Sequence, residues 1–154
     1  MSILPSNSRT LHRLIYCSRQ AFSAEQDADF EIEAIAASST RNNKLRQLSG
    51  LLLVHEGWFV QALEGPAEQV ISTYQFILED KRHRKCRVMS AGPASERLFP
   101  EWTMCARRFS SVNDAVLDVL GRRASFSPDT LNGHLLVRVL EAVREPEHRI
   151  ALRA

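Results

Sequence analysis

Gln61 is a polar side chain where the surrounding pattern calls for an apolar one. It stands in mid-strand within GLLLVHEGWFVQALEG (Gly50 to Gly65), between Val60 and Ala62, and alternation places it on the face of Phe59 and Leu63. An amide buried there must find hydrogen-bond partners or lose about 1–3 kcal/mol. Tyr16, in an apolar strand of its own, could supply a phenol, and Asn43 a second amide. Such a set has two readings: a core tyrosine bonded to a core glutamine, or a binding constellation. The Asn42-Asn43 pair is equally open. It can be a helix C-cap, since asparagine tolerates the left-handed conformation, or it can read the edge of a ligand. Spacing alone does not decide.

Other chemistries find less footing. The five histidines, His12, His55, His83, His134 and His148, show neither HxxxH spacing nor a cysteine partner, so no metal site is expected. Glu64 lies at a strand end beside Gly65, where a lone carboxylate serves a turn or cap more often than it serves as a general acid. There is no nucleophile elbow, Walker loop or GxGxxG, so catalysis has no anchor and no enzyme is expected. The run Lys81-Arg82-His83-Arg84-Lys85, with Arg107-Arg108 and Arg122-Arg123, reads mainly as solvated loop, although one or two of these cations could hold a cofactor phosphate. A net charge of +2 points to no polyanion and hence to no nucleic-acid partner.

The elements that must position these residues follow from periodicity. The chain has 154 residues, enough for one domain with a real core. Leu11 to Ser18 alternates with apolar residues on both faces, the mark of a central strand. Ser23 and Gln26 have capping-box spacing and open a small-residue helix expected to run to about Thr40 and to stop in Arg41-Asn42-Asn43. The hairpin comes next, turning at Glu56-Gly57. Pro66 then starts a second helix, in which Ala67, Val70, Ile71, Tyr74, Ile77 and Leu78 keep the i, i+3, i+4, i+7 rule. Strands are expected over Cys86 to Ala91 and over Glu101 to Arg108, the latter with Trp102 and Met104 on one face.

That order is an α+β, ferredoxin-like βαββαββ sandwich: a five-stranded mixed sheet with two helices on one side. Ile15, Cys17, Trp58, Val60 and Ala62 on the other side need cover. Two C-terminal helices, one capped by Ser111 and ended by Gly121, the other running from Pro128 to before Pro146, can provide it. The expected organisation is a disordered lead at 1–10, a core at 11–108, a helical cap of the same domain at 109–146 and a tail at 147–154. Three cysteines, Cys17, Cys86 and Cys105, odd in number and without CxxC pairing, fit a reducing cytoplasm. The first ten residues have no signal-peptide pattern, and no apolar run is long enough for a membrane span.

LIYCS, RNN, SGLLLVHEGWFVQALEG, DKRH and RLFPEWTM, in this order and at these separations, resemble the BLUF domain, the blue-light sensor using FAD. The resemblance covers about Leu11 to Arg108 and carries the ferredoxin-like sandwich with it. It implies a short stand-alone photoreceptor that binds FAD, with FMN also accommodated, and signals to another protein, itself without enzymatic activity. Tyr16 then matches the tyrosine that gives an electron and a proton to excited flavin. Gln61 matches the glutamine bridging that tyrosine and the ring, and Asn43 the asparagine on the ring's carbonyl and imide edge, with Asn42 nearby. Trp102 and Met104 match a semi-conserved pair near the pocket. Arg82 and His83 match a basic turn near the ribityl chain.

Phe76 departs from the pattern, standing where several relatives have a basic or imidazole side chain. A homodimer or higher homo-oligomer is expected if the helices of 111–145 keep an exposed apolar face. The alternative is a ferredoxin-like, acylphosphatase-like binding domain without flavin photochemistry.

Overall fold

The computed structural model describes residues 10–21, 28–55, 57–100, 105–107 and 127–143, with side chains except at 28–30, 33 and 105–107. Residues 1–9 of the lead expected at 1–10, Ser23, Gln26, Glu56, Trp102, Met104, the helix beginning at Ser111 and the tail lie outside these residues. Along the chain come β1 (Leu11–Gln20), α1 (Ala28–Arg46), β2 (Ser49–His55), β3 (Trp58–Pro66), α2 (Ala67–Glu79), β4 (His83–Pro93), β5 (Cys105–Arg107), a 3-10 turn (Pro128–Thr130) and α3 (Gly133–Val143).

The strands form one sheet in the order β4-β1-β3-β2-β5. The four long strands are antiparallel to their neighbours, and β5 runs parallel to β2 at the edge. The expected five-stranded mixed sheet is thus met in part, because its fifth strand is described over only Cys105–Arg107. β2 and β3 pair His55 with Trp58 across the turn, and Gly57 takes φ 82°, the conformation for which glycine suits a tight hairpin. Gly65 meets a different need: a Cβ there would come within 2.6 Å of Leu48 Cδ2 and 2.8 Å of the Gln47 carbonyl oxygen.

Two expectations about the helices are corrected. α1 does not stop at Arg41-Asn42-Asn43 but continues to Arg46. Gln47, not an asparagine, takes the left-handed φ of 59°, and the Leu48 N–H bonds back to the Asn43 carbonyl at 2.9 Å, a Schellman closure. Along α2, Ala67, Val70 and Thr73 are buried and Tyr74 and Ile77 pack against the core, whereas Ile71 and Leu78 are each 52% exposed. The i, i+3, i+4 stripe is wider than the surface the sheet offers, so its outer edges face away.

Both faces of the sheet carry a core. On one, Leu14, Tyr16, Leu52, Phe59 and Leu63 pack with Ile32 of α1 and Val70 of α2. On the other, Ile15, Cys17, Val60 and Ala62 pack with Leu136, Val139, Leu140 and Val143 of α3, so this C-terminal helix gives the cover the sequence demanded. Asn132 caps α3, its Oδ1 accepting from the Leu135 N–H at 2.9 Å.

Glu64, at the end of β3, ties the far segment to the sheet. Its fully buried carboxylate accepts from Arg13 Nε at 2.8 Å and from the N–H groups of Leu98 at 2.9 Å and Phe99 at 2.6 Å. Arg97 adds bonds to the Glu64 carbonyl at 2.8 Å and the Gln47 carbonyl at 3.0 Å. This is the turn-holding role that its position at a strand end suggests.

Candidate functional site

A cleft of about 330 Å³ opens between α1 and α2 over the first of these two faces. Its floor is set by strand register. Tyr16 on β1 lies directly opposite Gln61 on β3, which in turn lies opposite Leu52 on β2. Central position and antiparallel pairing therefore bring the two polar side chains onto one buried patch, each 3% exposed. The Tyr16 hydroxyl donates to Gln61 Oε1. Burial, reinforced by the nearby ionisable groups of Cys86, Tyr74 and Asp80, holds the Tyr16 hydroxyl well above its ordinary pKa, so it stays protonated and able to donate.

Asn43 enters from α1. Because the helix continues past it, its side chain is not a cap: it is 1% exposed and its Nδ2 has no hydrogen-bond partner. A buried amide nitrogen left open on a cleft wall lacks an acceptor that a ligand can bring. Asn42 is exposed and also lines the cleft. Aliphatic side chains of Ile35, Leu52, Leu63 and Ile77 complete the walls.

At the α2 end, Asp80, Arg82 and His83 line the cleft together. The Asp80 carboxylate accepts from the Arg82 backbone N–H at 2.9 Å and from its guanidinium at 2.6 to 3.1 Å. Burial alone would raise the Asp80 pKa, but these bonds and the Arg82 charge outweigh it and the carboxyl lies below its ordinary value. Both nitrogens of the His83 ring are engaged: Nε2 with the Ile77 carbonyl at 2.6 Å, Nδ1 with Ser18 Oγ at 2.9 Å. The ring also lies edge-on to Tyr16, with centroids 6.1 Å apart.

The structure therefore gathers Tyr16, Asn42, Asn43, Gln61, Arg82 and His83 around one cleft. Trp102 and Met104 lie outside the described residues. Sequence reasoning missed Arg46 and Thr73, which also line it. Arg46 stands three residues after Asn43, on the same helix face, a relation hidden once the helix was expected to end at the asparagines. Phe76 is 60% exposed at the mouth. Among the described residues no group of three His, Cys, Asp or Glu is placed to hold a metal ion, and no helix is long and apolar enough to cross a membrane.

The fold is thus α+β, one sheet between helices on both faces, with an aromatic-amide pair beneath a helix-walled cleft on one of them. The family model described as "BLUF: Sensors of blue-light using FAD" matches residues 11–105, and the chain belongs to this family. It is 32% identical over 152 residues to the photoactivated adenylate cyclase subunit beta of Euglena gracilis, covering 96% of this chain but 17% of that protein. Among solved structures it resembles the dark state of the BLUF protein BlrB, with a TM-score of 0.70 and 26% identity over 88% of this chain and 98% of that one. The photo-activated state of BlsA shares the fold, with a TM-score of 0.77 and 24% identity over 86% and 94% of the two chains.

The residues fit the cofactor of this family. A flat ring with donors and acceptors on one edge needs apolar walls for its faces and open polar groups for that edge. The cleft has both, and Asn43 Nδ2 is the open group.

Proposed function

We propose that this chain is a blue-light photoreceptor that binds FAD non-covalently between α1 and α2. It signals to a partner protein by rearranging the hydrogen bonds of Tyr16 and Gln61, and it is not itself an enzyme. The observation that carries this reading is the buried Tyr16–Gln61 bond beside an amide nitrogen with no partner. Bound flavin supplies absorption of blue light and, once excited, an acceptor for an electron from a nearby phenol.

The chain's own residues supply the rest. Tyr16 holds its proton at the hydroxyl and presents it to Gln61 Oε1. A primary amide has an acceptor at one corner and two donors at the other, and a hydroxyl can donate or accept. Turning the Gln61 amide thus exchanges one satisfied arrangement for another: Nε2 then donates to Tyr16, and Oε1 faces elsewhere. Phe59 and Leu63, buried in the same strand face, exclude water that would otherwise stabilise intermediate orientations. Asn43 and Asn42 would orient the ring edge, and Arg82, fixed by Asp80, would face the ribityl chain that FAD and FMN share.

A rearranged hydrogen bond is worth about 0.5–1.5 kcal/mol net, enough to bias a two-state element roughly tenfold. A switch of that size suits modulation of a partner contact. The segment that Glu64 holds through Leu98 and Phe99, and the C-terminal helix α3, are the route we assign to the signal. The purified chain should be yellow, release FAD on denaturation, and show a flavin band that shifts reversibly to the red under blue light. A colourless protein that cannot be reconstituted with FAD or FMN would overturn the reading.

A further inference from the structure

Arg46 is the last residue of α1, and it reaches across the mouth of the cleft to α2. Its Nη1 donates to Thr73 Oγ1 at 2.9 Å, and its guanidinium carbon lies 4.8 Å from the centroid of the Phe76 ring. Both partners are uncharged, so among the described residues the guanidinium is held in place without being neutralised. Planarity and five N–H donors leave it with capacity that one hydroxyl does not use.

Asn43, one helical turn earlier on the same face, points a second unspent donor at the same cleft. The other cation on the cleft wall, Arg82, is already paired with Asp80. The two ends of the cleft therefore differ in kind: a neutralised pair at one, uncompensated donors at the other.

We propose that Arg46 is a cofactor-binding residue. With Asn43 it donates to the acceptor-bearing edge of the flavin ring, while Thr73 and Phe76 hold its guanidinium in register. The assignment rests on the cleft being the flavin site. It makes the positive group at this edge a contribution of α1, with Phe76 on α2 as its support. A charge-assisted bond lost from such a site weakens binding about tenfold or more.

The test is to load the full chain with riboflavin, FMN or FAD, dilute it, and follow release of each by flavin fluorescence. The dark-state ring carbonyl stretch is read by infrared spectroscopy. Arg46→Ala should weaken all three flavins by a similar factor, about tenfold or more, and move the carbonyl stretch to higher frequency. Thr73→Val and Phe76→Leu, which keep the charge but remove its supports, should act in the same direction and less strongly.

Weaker FMN and FAD binding with riboflavin unaffected would overturn the proposal, because the cation would then serve a phosphate. So would unchanged release and an unmoved carbonyl in all three variants, which would leave Arg46 a helix-to-helix strap. Should Arg46→Ala not fold, unchanged release in the other two variants overturns it equally. Wild-type protein that holds none of the three flavins removes the parent reading, an outcome distinct from a yellow wild type with indifferent variants.

Discussion

The middle of β3 and its far end treat buried polar groups in opposite ways. At Glu64 every visible need is met within the chain: a carboxylate with no exposure takes one guanidinium and two backbone N–H donors, and a second arginine binds the carbonyl of the same residue. Three residues earlier and on the opposite face, Gln61 shares a bond with Tyr16 beside an Asn43 nitrogen that has none. Burying polarity costs the same currency in both places. The closed network holds a loop against the sheet. The open one waits for a partner, and that incompleteness is what separates a binding site from a structural clamp.

The contrast can be broken by mutation, and the largest effect is expected at the clamp. Glu64→Ala leaves two buried N–H groups and Arg13 without their acceptor and should cost about 3–5 kcal/mol of folding stability, measured by denaturant unfolding. A loss below 1 kcal/mol would mean that the network is not what holds residues 98 and 99. Tyr16→Phe should be far milder for stability, about 0.5–1.5 kcal/mol. It should keep the yellow colour yet abolish the reversible light response, as read by transient absorption.

Asn43→Leu sharpens the comparison most. Since its Nδ2 has no partner in the protein alone, the substitution should leave flavin-free stability unchanged or slightly raised while weakening flavin binding about tenfold. Equal losses with and without flavin would place Asn43 in the same structural class as Glu64.

The smallest effect concerns Asp80. Its carboxyl pKa is lowered in the folded chain, so its contribution is full above the ordinary value of about 3.9 and is lost as pH falls through the lower folded value. The pair is partly exposed, so Asp80→Asn should cost under about 1 kcal/mol at neutral pH and flatten the acid limb of the stability profile.

Much of this was legible in the chain. Strand alternation around Gln61 and the apolar double face of LIYCS place Tyr16 and Gln61 opposite each other once strands one and three are neighbours, and the register bears that out. The demand of Ile15, Cys17, Val60 and Ala62 for cover on the far face was equally readable, and α3 meets it. What the pattern hid is long-range. Asparagines at 42 and 43 look like a helix end because local propensity favours one there; Leu48 and the Gln47 turn move that end on to Arg46, and with it Arg46 enters the cleft. Glu64's partners are backbone N–H groups more than thirty residues away, which no local spacing encodes.

The central claim is that the Gln61 amide is the switch, and a light-minus-dark absorption spectrum of Gln61→Leu beside wild type tests it most directly. Wild type should show a reversible red shift of the flavin band under blue light, and the variant should hold flavin with no shift. A full red shift in Gln61→Leu would contradict the account.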